Sequence, residues 1–180
     1  MVKIFHMLRL INKNQLGMTM MELVIAMLIS AVITGAITST IFQVVEVSAS
    51  TNNNMIAVRQ AQSAGYWVSH DALMAQAEPV IVENAGQLES ITMDWGDWDG
   101  NAYQVVYTFG DELQRELTKT DSGGSASTST GIIAEFIDPA NTGCQFIDGR
   151  LILTVTITVG SGSQVQSETR TYEIVPRPGS

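Results

Sequence analysis

The 180-residue chain holds one cysteine, two histidines and nine lysines and arginines, and each shortage excludes something. Cys144 has no partner for an internal disulfide. A small buried thiol is the expected state, with intermolecular pairing the other option. His70 is the only histidine beyond the first 17 residues, so a Ser-His-Asp centre or a histidine-rich metal site would rest on it alone. Asp71 follows it, but adjacent residues on a helix point about 100° apart and do not build a dyad by themselves. No G-x-S-x-G, paired-cysteine or phosphate-cradling glycine motif is present. Neither an enzyme nor a cofactor is expected.

Basic charge is scarce and unevenly placed. Lys3, Arg9 and Lys13 lie in the first 17 residues, which contain no acid. Residues 18–180 carry six Lys and Arg against 18 Asp and Glu, near −12. Arg59, Arg115, Lys119, Arg150, Arg170 and Arg177 are scattered singly. Non-specific nucleic-acid binding requires several Lys or Arg to neutralise phosphates, so no direct nucleic-acid partner is expected.

The chain is rich in one uninterrupted apolar run. Residues 23–45 are broken only by Gln43 and small polar residues, and no formal charge occurs between Glu22 and Glu46. About 20 apolar residues span a bilayer as a helix. The basic flank should stay cytoplasmic while the remainder crosses. Glu22 stands at the mouth of this run, five residues after Gly17. An acid at the centre of a membrane helix costs about 2.5–3.5 kcal/mol, and less toward its end. A carboxylate tolerated there generally has a partner and a task.

Leu16-Gly17-Met18-Thr19-Met20-Met21-Glu22 and the apolar residues after it resemble the class III signal of type IV pilins and type II secretion pseudopilins. The resemblance implies that a prepilin peptidase cuts between Gly17 and Met18 and methylates the new amino terminus. Glu22 then becomes the fifth residue of the mature chain, able to pair with the Met18 amine of a neighbouring subunit. Desolvation offsets much of the attraction in such a pair, so its expected contribution is register more than stability. Two features depart from the commonest pattern: Met18 replaces the usual Phe, and no proline interrupts the apolar helix, leaving Gly35 as its soft point. The implied partners are other pilin or pseudopilin subunits, the prepilin peptidase, an inner-membrane assembly platform and membrane lipid. Three other readings use the same residues. They are a Glu22 that only snorkels to headgroups, a secretory signal cut near Thr34-Gly35-Ala36, and an uncleaved single-span anchor.

Beyond the apolar run the pattern divides the chain into zones. Residues 1–17 form the leader, 18–45 the transmembrane and filament-core helix, 46–77 its amphipathic half and 78–180 an antiparallel β head. Met55, Val58, Ala61, Gly65, Val68, Ala72 and Ala75 recur at helical spacing. Asn52-Asn53-Asn54 is the weakest helical point and an expected bend, and Pro79 ends the element. Period-two patterning then predicts strands at 80–82, 88–95, 103–109, 112–120, 132–137, 145–147, 151–159 and 164–175. Asp99-Gly100, Gly110-Asp111, Asp148-Gly149 and residues 160–163 supply turn chemistry. Residues 121–131, rich in Ser, Thr and Gly, read as a solvated loop. The expected fold is α+β: a long N-terminal helix packed on an antiparallel sheet.

Asp94, Asp97 and Asp99 are candidate calcium ligands by their oxygen chemistry. The EF-hand spacing fails, since Ala102 and Thr108 fall at the sixth and twelfth positions from Asp97. A polar turn with half-buried Trp95 and Trp98 accounts for the segment, and no metal is expected; the tryptophans alternatively offer a contact surface. Tyr66 and Trp67 are expected in the core. The reading is a minor pilin or pseudopilin in the inner membrane, its head outside the cytoplasm, joining a filament through its N-terminal helix. The alternative is a membrane-anchored binding module outside any filament.

Overall fold

A computed structural model describes residues 19–176. The expected cleavage junction between Gly17 and Met18 lies outside the described residues. The chain divides into two compact units, one ending at Glu46 and one beginning at Val47. A single helix, α1 (Met20–Met74), contributes to both.

In the first unit the α1 residues are all exposed. Its apolar side chains cover every side of the helix, as suits a segment surrounded by an apolar medium. Asn52-Asn53-Asn54, the expected weak point, does not break the helix, and α1 runs through it. Asn and Ser disfavour helix interiors because their side chains compete for nearby backbone groups. Here they are engaged at long range: Asn53 Nδ2 donates to Gln164 O at 3.0 Å, and Gln166 Nε2 donates to Ser50 Oγ at 3.0 Å.

Among the described residues eight strands come after the helix, all paired antiparallel. β1 (Val80–Asn84), β2 (Gln87–Gly96), β3 (Ala102–Phe109), β4 (Glu112–Thr120) and β5 (Ala126–Glu135) form a five-stranded meander in chain order. β6 (Gly143–Ile147), β7 (Arg150–Val159) and β8 (Gln166–Ile174) form a second, three-stranded sheet. The fold is α+β as expected, with two sheets in place of one. Phe136, at φ 62°, turns the chain from the first sheet to the second. Ile137 N donates to Asp111 O at 3.0 Å, while Thr158 N donates to Phe136 O and Asp138 N to Thr156 O, both at 2.9 Å. The segment thereby lies along β7 before β6 begins.

Residues 121–131 are not a loop throughout. Asp121 N donates to Ser125 O and Gly124 N to Asp121 O, a tight turn with Gly124 at φ 83°. From Ala126 the chain pairs with β4, and the Thr118 and Thr128 hydroxyls lie 3.0 Å apart. Residues 126–131 of this strand escaped the period-two test because their side chains are uncharged and polar or small on both faces.

Helix α1 ends at Met74, three residues short of expectation. Gln76 is drawn to the edge of β2 instead. Its N donates to Asp94 O, its Nε2 donates to Gly96 O at 3.0 Å, and its Oε1 accepts from Gly96 N at 3.1 Å. One core unites the C-terminal part of α1 with both sheets. The helix presents Ala57, Ala61, Ala64, Gly65, Val68 and Ala72, joined by Ala75 just after its end, to a core that includes Ile91, Met93, Val105, Leu113, Leu153 and Ile157. Met55, expected on this stripe, is exposed, because the buried face starts from Ala57. At Gly65 a Cβ would meet the ring of Tyr172 at 2.0–2.4 Å. Glycine there lets the ring approach the helix closely enough for Tyr172 OH to donate to Ala61 O at 3.0 Å.

Candidate functional site

The helix entry is built by Thr19 and Glu22. Glu22 N lies 3.3 Å from Thr19 Oγ1, and Thr19 N lies 3.4 Å from Glu22 Oε2. This reciprocal arrangement is a capping box, which satisfies donors that the first helical turn leaves free. It also puts the carboxylate at the positive end of the helix dipole. Thr19-x-x-Glu22 is the matching sequence signal. Glu22 therefore has a local structural partner in the single chain.

Downstream, four polar side chains of the apolar segment are turned back onto their own helix. Ser30 Oγ donates to Ala26 O at 2.8 Å, Thr38 Oγ1 to Thr34 O at 2.8 Å, and Thr40 Oγ1 to Ala36 O at 2.9 Å. Gln43 Nε2 reaches Ser39 Oγ at 3.4 Å. An unsatisfied hydroxyl in hydrocarbon is costly, and these bonds lower that cost without a second chain. Among the described residues, α1 is the one helix long and apolar enough to cross a membrane by length and composition.

The head carries a second, buried arrangement that sequence reasoning missed. Asp71 projects from α1 into the core with 1% exposure. Arg115 on β4 donates to both carboxylate oxygens, Nε to Oδ2 at 2.7 Å and Nη2 to Oδ1 at 3.1 Å. Tyr107 on β3 donates its hydroxyl to Oδ2 at 2.5 Å. Tyr107 and Arg115 are cross-strand partners, so the sheet register delivers both to the same acid. Burial, then the charge and hydrogen bond of Asp71, pushes the Tyr107 phenol far up. Burial opposes the charge on Arg115, but the hydrogen bond and charge of Asp71 outweigh it and raise the guanidinium. The available signal was an acid three residues after Val68, on a stripe otherwise made of apolar and small residues.

His70 Nδ1 also lies 3.3 Å from Asp71 Oδ1. The two side chains meet despite their divergent directions, with His70 half-exposed beside the buried carboxylate. Tyr66 and Trp67 are not core residues: Tyr66 is 64% exposed and Trp67 36%. The small-residue stripe faces the sheets and leaves these rings outside it. Trp67 is covered on one side by the Arg115 guanidinium, 5.0 Å from the ring centre.

The structure gives Asp97 a turn-forming role. Oδ1 accepts from Asp99 N at 3.0 Å and Asn101 N at 2.9 Å, while Oδ2 accepts from Asn101 Nδ2 at 2.8 Å and Tyr103 OH at 3.1 Å. These bonds, led by the Asn101 side chain, hold its carboxyl below the usual range. The described residues contain no group of three or more His, Cys, Asp or Glu side chains placed to grip a metal ion. Trp95 is half-buried and stacks on Tyr103, with ring centres 5.6 Å apart and planes 7° apart. Trp98, expected half-buried, is 94% exposed at the tip of the turn. Cys144 is a free, buried thiol, pushed up to about 12 chiefly by burial.

Comparison with curated proteins and with solved structures finds no match. Residues 12–38 match the family model described as the prokaryotic N-terminal methylation motif. The match spans Gly17, Met18 and Glu22 and runs into the exposed apolar helix. On these grounds the chain is similar to type IV pilin-like proteins, and the motif supports that family.

Proposed function

We propose that this chain is a minor pilin or pseudopilin, a structural subunit cut after Gly17, methylated on Met18 and assembled through its N-terminal helix. The match of residues 12–38 to the methylation motif carries the reading. Further support comes from the exposed, charge-free helix after Glu22 and from its self-satisfied hydroxyls. The basic leader holds the N-terminus in the cytoplasm, and the head lies across the inner membrane. Glu22 pairs with the Met18 amine of a neighbouring copy or sister subunit and sets the register. Partners are other subunits, the prepilin peptidase and the assembly platform; a structural role needs no catalysis. The exposed turn at Trp98 also fits the second reading, an anchored head that binds a surface or secreted substrate.

Mass spectrometry of the mature N-terminus tests the proposal, with the full chain produced with and without a prepilin peptidase. Methylated Met18 appearing only with the peptidase is the expected result. A cut near Ala36, or an intact N-terminus in both, overturns it.

A further inference from the structure

The fold treats the outer edge of β5 in two ways. Toward its C-terminal end, helix side chains occupy backbone groups: Ser63 Oγ donates to Ile133 O at 2.8 Å, and Glu135 N donates to Gln60 Oε1 at 3.2 Å. Residues 126–131 are all exposed, and no helix side chain caps them among the described residues. An antiparallel ladder turns the N–H and C=O of alternate residues away from the partner strand. This run therefore presents unpaired donors and acceptors in a row. It contains no Lys, Pro or acid, the residues with which edge strands discourage pairing. In a chain of net charge −9, a second copy can approach here without meeting a carboxylate on the strand itself.

The other edge of the same sheet is β1. Val80 and Val82 on it are 57% and 41% exposed. The register carries Val80 through Thr92, Val106 and Glu116 to Thr130, and Val82 through Ser90, Thr108 and Gln114 to Ile132. Val80, Val82, Thr130 and the exposed Ile132 thus share one face of the sheet. In a five-stranded antiparallel meander the first and fifth strands run in the same direction. A copy displaced sideways without reversal offers its β1 to β5, and the step can repeat. A β5-to-β5 pair requires one copy to be reversed and closes after two.

We infer that residues 126–131 are a docking edge for β1 of a second copy of this chain. The pairing is parallel and continues the five-stranded sheet from copy to copy, with Val80 and Val82 meeting Thr128 and Thr130 and β1 staying clear of the capped groups of Ile133 and Glu135. Main-chain hydrogen bonds supply the attraction and these side chains the register. The inference rests on the proposed function at one point: copies anchored by the same apolar segment share a polarity, which favours a step without reversal.

The test uses the full chain in membranes and a short thiol-to-thiol cross-linker. Val82→Cys with Thr130→Cys in one chain should give dimers and a ladder of higher species, at least tenfold above either single variant. The two single variants produced together should give dimers alone. Val80→Cys with Thr128→Cys repeats the measurement at a second position of the same register, and protease resistance of the head verifies folding in every variant. Wild type, whose Cys144 is buried, is the blank. Dimers from Thr130→Cys by itself, or no product from either double variant, overturn the inference. A ladder that persists when Met18 is never exposed removes the pilin-like reading and leaves the edge pairing. Normal maturation with no ladder removes the edge pairing alone.

Discussion

Arg115 grips Asp71 with two donors, Nε at 2.7 Å and Nη2 at 3.1 Å, and this fork ties β4 to the helix across the head core. The acid is fully enclosed, while the Arg115 side chain keeps 14% exposure. Buried pairs contribute little relative to an apolar replacement, yet breaking one leaves an uncompensated charge.

Arg115→Met should therefore destabilise the head by about 3–5 kcal/mol. Asp71→Leu combined with Arg115→Met should recover most of the loss. Urea unfolding of a fragment beginning at Ser48 measures both, and that fragment is expected to be soluble and folded. Equal losses in the single and double variants would contradict the ion-pair role.

Gly65→Ala tests the notch under Tyr172. The added Cβ would collide with the ring at 2.0–2.4 Å, so the ring or the helix must move. Overpacking of this kind should cost about 1–3 kcal/mol. Tyr172→Ala should relieve the clash and make Gly65→Ala nearly neutral in that background. Thermal unfolding of the four proteins supplies the comparison.

Cys144 sets an alkaline limit. Its thiol rises from an ordinary 9.0 to about 12, chiefly through burial. A group raised in the folded state contributes stability that is complete below its unfolded pKa and lost as pH climbs through the folded value. Wild type should thus lose stability between pH 9 and about 12 more steeply than Cys144→Ala. Below pH 9 the folded head should resist thiol reagents, and rapid labelling there would contradict the burial.

Glu22→Val should still be cut after Gly17 but incorporate poorly into any filament. The variant loses the bond from Thr19 N to the Glu22 carboxylate but keeps the one from the residue-22 N–H to Thr19 Oγ1, so the helix entry survives while the proposed acid partner for a neighbouring amine disappears. Cell-surface shearing followed by immunoblotting reads incorporation. Unchanged incorporation would leave Glu22 with the cap alone.

Much of the fold was legible because its signals are local. Residues 23–45 announce themselves by hydropathy, and β7 by Leu151, Leu153, Val155 and Ile157 at alternate positions, all buried. The first half of β5 was not legible, since Ser and Thr carry no inside and outside, and only pairing with β4 reveals the strand. The hairpin at Ala85 and Gly86, with φ of 52° and 79°, was hidden by an alanine where Asn or Asp is usual. At the N-terminus, Glu22 stood out against its apolar surroundings. Asp71 did not stand out, because its partners lie 36 and 44 residues away and converge only through the β3–β4 register.

Ser30, Thr38 and Thr40 give the apolar helix a property its hydropathy alone would not reveal. With each of these three hydroxyls folded back onto a carbonyl one turn earlier, their patches of the surface offer methyl and methylene groups to an apolar neighbour. A single χ1 rotation presents the same hydroxyl to an adjacent helix. On the proposed function, one segment would thereby suit two solvents, a fluid bilayer and a close-packed bundle, with no refolding between them.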